Sequence, residues 1–147
     1  MPGQRPVPSS EGRRIVICDY NALLLSVTGL LRMSNYCVFQ AHDGLAAEEL
    51  CARMPEISLL VLNTFGTGID VGGLVRRVRL ASPKLQVLHI GSSIPDGLPE
   101  DVPSIPERFT SEFLLSTVSA LIERRLNPRP AGASYRDACS PAQAFEA

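Results

Sequence analysis

The chain has 147 residues, 45% of them apolar and 20% charged, with a formal net charge of −1. That is enough for one domain with a core of its own, and the near-neutral balance gives no electrostatic footing for nucleic acid or a membrane surface. No apolar run approaches the roughly 18 residues of a membrane helix, and the polar, proline-rich start lacks the apolar core of a secretory signal.

Residues 1–12 carry three prolines with Gly and Ser and read as a flexible tail. Arg13 to Cys18 is a short β-branched apolar run, a first strand, ending in Asp19-Tyr20-Asn21. Asn21 can cap the helix that follows, where Leu23, Val27, Leu30 and Leu31 form one apolar stripe. Gly29 inside that helix costs about 1 kcal/mol against alanine. Tyr36 to Gln40 is a second strand. Asp43 caps a second helix with Ala46, Ala47, Leu50 and Cys51 on its apolar side, and Met54-Pro55 ends it.

Ile57 to Leu62 is an unbroken apolar run, the signature of a central strand buried on both faces, and it runs straight into Asn63. In parallel sheets the site lies just beyond the carboxyl ends of such strands, which makes Asn63 the place to look for chemistry. Asp70 caps a third helix with the stripe Val71, Leu74, Val75 and Val78, and Arg76, Arg77 and Arg79 read as its solvated face. Leu85 to Ile90 is a fourth strand. Gly91 to Pro106 contains four prolines and allows at most one helical turn. Val102 to Ile105 predicts a weak edge strand, because Pro103 cannot donate on both sides. Thr110 caps a last helix with Leu114, Val118, Leu121 and Ile122 turned inward, and residues 127–147 read as a second flexible tail. Cys18, Cys37, Cys51 and Cys139 show no metal or redox spacing and read as the reduced thiols of a cytoplasmic protein.

Strands alternating with helices predict a parallel sheet with helices on both faces. Three stretches then carry a family resemblance: Arg14-Ile15-Val16-Ile17-Cys18-Asp19, Leu59-Leu60-Val61-Leu62-Asn63 with the Gly66 to Leu74 loop, and Gln86 to Ser92 followed by Ile105 to Thr110. In order and spacing, residues 13–126 resemble a response-regulator receiver domain of two-component signalling. The resemblance implies a flavodoxin-like, doubly wound, five-stranded parallel sheet of order 2-1-3-4-5, here with the fourth helix reduced or missing. It also implies an acidic pair and a phospho-accepting aspartate around Mg²⁺, a Thr or Ser that follows the charge, and a lysine.

Against that pattern this sequence departs at four of five positions. Cys18 replaces the first acid and leaves Asp19. Asn63 stands at the phospho-acceptor position. Gly91 stands at the Thr/Ser position, with Ser92 one residue late, and Glu107 stands where the lysine would be. An amide cannot be the carboxylate nucleophile. Asp19 alone is a poor Mg²⁺ site, Cys18 is too soft a ligand, and Glu107 would repel a phosphoryl group. Asn63 can instead bond to Asp19 as an uncharged pair.

The expected protein is thus a stand-alone receiver-like protein in phosphorelay signal transduction. It is not an enzyme and is not phosphorylated in the usual way. No cofactor is expected and Mg²⁺ binding is not expected. It acts through protein contacts, with a histidine kinase or another regulator as partner and a homodimer left open, and without nucleic acid or membrane. The alternative is a nucleotide-binding module or enzyme using the GxGxxxG stretch Gly66–Gly72, a weak signal because tight turns alone explain glycines there. A further alternative places phosphate on the Ser92 or Thr64 hydroxyl. His42 and His89 are isolated, and His89 reads as a core-edge side chain.

Overall fold

Five strands and four helices alternate along the chain: β1 (Arg14–Asp19), α1 (Leu25–Met33), β2 (Cys37–Ala41), α2 (Gly44–Arg53), β3 (Leu59–Asn63), α3 (Val71–Ala81), β4 (Gln86–Ile90), β5 (Ser104–Ile105) and α4 (Ser111–Leu126). The structure, a computed structural model, describes residues 13–20, 22–64 and 67–126. The two expected tails and the capping role read for Asn21 fall outside those residues. The sheet order is β2-β1-β3-β4-β5 with every pair parallel. This is the flavodoxin-like arrangement that the sequence predicts, and no helix lies between β4 and β5. No helix among the described residues is long and apolar enough to cross a membrane.

The alternation of side chains along each strand divides the core in two. Ile15, Ile17, Leu59, Val61, Leu88 and Ile90 face α1 and α4. Val16, Cys18, Leu60, Leu62 and Val87 face the other way, onto α2 and α3. β3 therefore has no solvent face, and all five of its residues are buried. Asp43 and Asp70 cap α2 and α3 as read, accepting from Ala46 N at 2.8 Å and Gly73 N at 3.1 Å. Thr110 does the same for α4 through Phe113 N at 3.0 Å. Two of the three α3 arginines are not simply solvated: Arg77 pairs with Glu48 on α2, and Arg79 with Asp101.

The first helix corrects its expected stripe. Leu23 is 46% exposed and Leu24 only 2%, so the buried face is Leu24, Val27, Thr28 and Leu31. The phase is set from the site. Asp19 at the end of β1 accepts from Leu23 N at 2.9 Å and Leu24 N at 2.7 Å, which fixes the first turn one residue away from the simple periodicity.

Residues 91–103 run beside α3 where a helix could have packed. Leu98 and Val102 plug the α2/α3 side of the core. Gly97, at φ +86°, lies so close to α3 that a Cβ on Gly72 would sit 2.7 Å from its carbonyl oxygen. β5 then adds only two residues to the edge, because Pro103 and Pro106 flank it and neither can donate to a ladder.

Gly29 lies on the exposed side of α1, and a Cβ there would meet nothing within 4 Å. Gly29→Ala is expected to stabilise the protein by about 0.5–1 kcal/mol, since it removes backbone freedom from the unfolded chain without a clash. Urea unfolding at neutral pH checks this, and an unchanged or lower midpoint would contradict it.

Candidate functional site

The carboxyl ends of β1, β3 and β4 meet where the sequence places its candidates. Parallel register sets Asp19 opposite Asn63 and Cys18 opposite Leu62. Asn63 is 1% exposed, and its amide nitrogen donates to the Ile90 carbonyl at 2.7 Å, tying the end of β3 to the end of β4. Asp19, also buried, turns both carboxylate oxygens onto the α1 backbone. The two side chains are thus each held by main chain.

Cys18 points away from this pair, into the α2/α3 core. Burial first, and then the nearby Asp43 and Asp19 carboxylates, push its thiol up to about 12. It is a protonated core side chain at neutral pH, neither a thiolate ligand nor a reactive nucleophile. Burial pushes Cys51 up to about 12 in the same way. Tyr20 completes this end of β1. Its hydroxyl accepts from Gly44 N at 2.6 Å and joins the first loop to the start of α2, and burial raises its pKa.

His89 belongs to the site, although the sequence reading leaves it at the core edge. It is 3% exposed, and its Nδ1 lies 2.7 Å from Ser104 Oγ across the β4–β5 pair. Its ring fills the space over Gly91: a Cβ on that residue would lie 2.8 Å from His89 Cε1 and 3.2 Å from Nε2. Gly91 and His89 are therefore one substitution in physical terms. The imidazole occupies the volume that a side chain at residue 91 would need. The signal was present in the sequence, since residues two apart on a strand share a face, but an isolated histidine gave no reason to weigh it.

Asn63, Thr64, His89, Gly91, Ser92, Ser93 and Pro95 wall a cleft of about 170 Å³. Among the described residues its lining carries no carboxylate and no lysine or arginine. Ser92 is exposed at its rim and Thr64 buried in its wall. Glu107 is exposed past the end of β5 and is not part of the wall. His42 is exposed on the loop before α2 and lies outside this cleft. Among the described residues no group of three or more His, Cys, Asp or Glu side chains converges.

The glycine stretch after β3 has a structural account at each described position. Gly68 sits at φ +68°, a turn conformation that favours glycine. Gly72 permits the close pass of Gly97, and Gly73 gives room to the Asp70 carboxylate that caps its own helix. The start of α3 is thus occupied by an internal anion, which leaves little reason for an external phosphate to settle there.

No family model matches the chain, and no curated protein matches it. Among solved structures it is similar to the receiver domain of the hybrid histidine kinase CckA, with 25% identity, a TM-score of 0.61 and coverage of 74% of this chain and 98% of that one. It is similar to a response regulator receiver protein from Sinorhizobium medicae WSM419, at 24% identity and TM-score 0.63, over 76% of this chain and 94% of that one. A response regulator from Thermotoga maritima gives 21% identity and TM-score 0.63, over 75% and 97%. The fold is that of response-regulator receiver domains, as the sequence resemblance implies.

Two substitutions test the packing of the site. Gly91→Thr is expected to cost about 1–3 kcal/mol, because His89 must leave its place. The cost should shrink in a chain that already carries His89→Ala, a non-additivity that a double-mutant cycle by urea unfolding measures; strict additivity would contradict the shared-volume account. Asn63→Asp turns a buried donor into an acceptor facing the Ile90 carbonyl. The folded-state pKa of the new carboxyl is expected above its unfolded value of about 3.9. The loss should therefore be slight below pH ~4, where the acid can still donate, and grow to about 1–3 kcal/mol as pH rises to neutrality. A loss independent of pH would refute this.

Proposed function

We propose that this chain is a pseudo-receiver: a receiver-fold protein of phosphorelay signalling that does not accept phosphate at its strand-end site and acts through protein contacts. The observation that carries the reading is Asn63, a buried neutral amide held on Ile90 where a receiver would need a carboxylate nucleophile. An amide cannot attack phosphorus to form an acyl phosphate.

Three further features support the same reading. Asp19 has both oxygens engaged by backbone N–H groups, Cys18 is a buried protonated thiol, and the described residues of the cleft wall include no carboxylate. This donor set does not fit Mg²⁺, which takes oxygen ligands and usually one or two carboxylates. His89 stands where a switching hydroxyl would enter, and its bond to Ser104 holds β4 and β5 together without any phosphate. Glu107 supplies no cation to balance phosphoryl charge. A protein built this way presents one fixed surface to a partner rather than two surfaces governed by phosphate.

Intact mass after incubation with acetyl phosphate and Mg²⁺ tests it. The natural chain is expected to gain no phosphate. Asn63→Asp is also expected to gain none, because no lysine or arginine stands among the described residues of the cleft and His89 still fills the space over Gly91. A stoichiometric, base-labile adduct on the natural chain would overturn the proposal. An adduct on Asn63→Asp alone would show that the site lacks only its nucleophile.

A further inference from the structure

Within the strand-end cleft, Thr64 stands apart from its neighbours. The residue is 7% exposed, and its carbonyl accepts from Thr67 N at 3.1 Å and from Thr67 Oγ1 at 2.7 Å. Its own hydroxyl meets no partner among the described residues. Among those residues Ser58 Oγ is the one fully enclosed side-chain polar atom left without a partner, so the Thr64 hydroxyl opens on the cleft that the residue lines. A polar group carried this far out of bulk water is costly to leave unmet. Ser92 and Ser93 bring two more hydroxyls from the loop after β4, and Pro95 adds an apolar wall. Asn63 and His89 complete the lining and are tied to the Ile90 carbonyl and to Ser104.

We propose that this cleft binds a small uncharged polyol, held between the Thr64 hydroxyl at the end of β3 and the Ser92 and Ser93 hydroxyls after β4. Charge narrows the class first. The described wall has no carboxylate, lysine or arginine, so an ion of either sign would leave water without a counter-charge. Asp96 and Glu100, exposed on the adjoining segment, oppose an anion further. No Phe, Tyr or Trp stands among the described residues of the wall, so a nucleobase finds no such ring to stack on. The hydroxyls then select positively. Each can both donate and accept, and a polyol answers in kind at every oxygen, whereas an amide or ketone fixes beforehand which of its atoms must donate. The carbon skeleton of such a ligand lies against Pro95. The cleft measures about 170 Å³. Since roughly 150 Å³ holds a molecule of the size of benzene, the fit is to about six to eight heavy atoms, from glycerol to erythritol. So small a ligand binds weakly, with a dissociation constant on the order of millimolar. The inference rests on the reading that this site takes no phosphate, and it names what the site takes instead.

Titration of the isotopically labelled full chain with erythritol, followed by the backbone amide resonances, tests it, with inorganic phosphate as the second probe. Erythritol is expected to give saturable shifts centred on Thr64, Gly91, Ser92 and Ser93. Thr64→Val keeps the shape of the side chain and removes its hydroxyl, and should raise the dissociation constant about three- to tenfold while the remaining resonances stay in place. Ser93→Ala should act in the same direction, and phosphate should produce no saturable shift at these residues. Shifts that stay linear in erythritol or spread over the whole surface would mark a general cosolvent effect and overturn the proposal. Saturable binding that neither substitution weakens, or a cleft that phosphate fills in preference to erythritol, would overturn it too. Failure of erythritol to bind, with no mass gained from acetyl phosphate, would sink this inference alone and leave the pseudo-receiver reading standing.

Discussion

A strand with no solvent face sets the terms for everything at the carboxyl end of this sheet. All of β3 is buried, with alternate residues committed to opposite cores. Whatever side chain ends such a strand is carried into low dielectric, where an unpaired charge is expensive and an unpaired polar group is costly. Active receivers must tolerate a carboxylate at that point and so need cations around it. Here the strand ends in a neutral amide whose donor meets the Ile90 carbonyl. A neutral side chain at that point brings no charge into low dielectric and needs only a hydrogen-bond partner.

The remaining substitutions follow from that first one. The volume over Gly91 that a side chain there would need is filled by His89. The imidazole both closes the packing and reaches Ser104, so the short edge strand β5 gains a side-chain tie beside its few backbone bonds. Asp19 accepts from the Leu23 and Leu24 N–H groups just before α1. Asn63, His89 and Asp19 each help to hold the strand ends together.

Much of this was legible in the sequence because it rests on local rules. The Leu59 to Leu62 run announces a doubly buried strand. Asp43, Asp70 and Thr110 each stand one place before a helix, and all three cap the helix that follows. Four prolines from Gly91 to Pro106 allow at most one helical turn there. What was not legible depends on contacts across the sheet. Leu24 replaces Leu23 in the core because Asp19 reaches forward four and five residues to set the helix phase, which a cap search confined to Asn21 does not see. His89 is paired with Ser104, fifteen positions away, and only the parallel register of β4 and β5 brings them together. Arg77 and Arg79 look like a solvated row until α2 and the 91–103 segment supply Glu48 and Asp101.

The loss of a helix between β4 and β5 also redistributes the outer surface. The segment that replaces it lies on α3 by its backbone, glycine against glycine, and anchors itself through Leu98, Val102 and the Arg79–Asp101 pair. Pro95, Pro99 and Pro103 stiffen it, since each fixes its own φ. A helix can slide or rotate as a unit over a core, whereas a strap held residue by residue has no comparable alternative packing. The β4–β5 side is thereby made rigid, and its exposed charges at Asp96 and Glu100 are acidic. The apolar, uncharged outer face then lies on the opposite layer, on α1, whose first turn is fixed by Asp19. The same carboxylate at the strand-end site thus sets the phase of that helix.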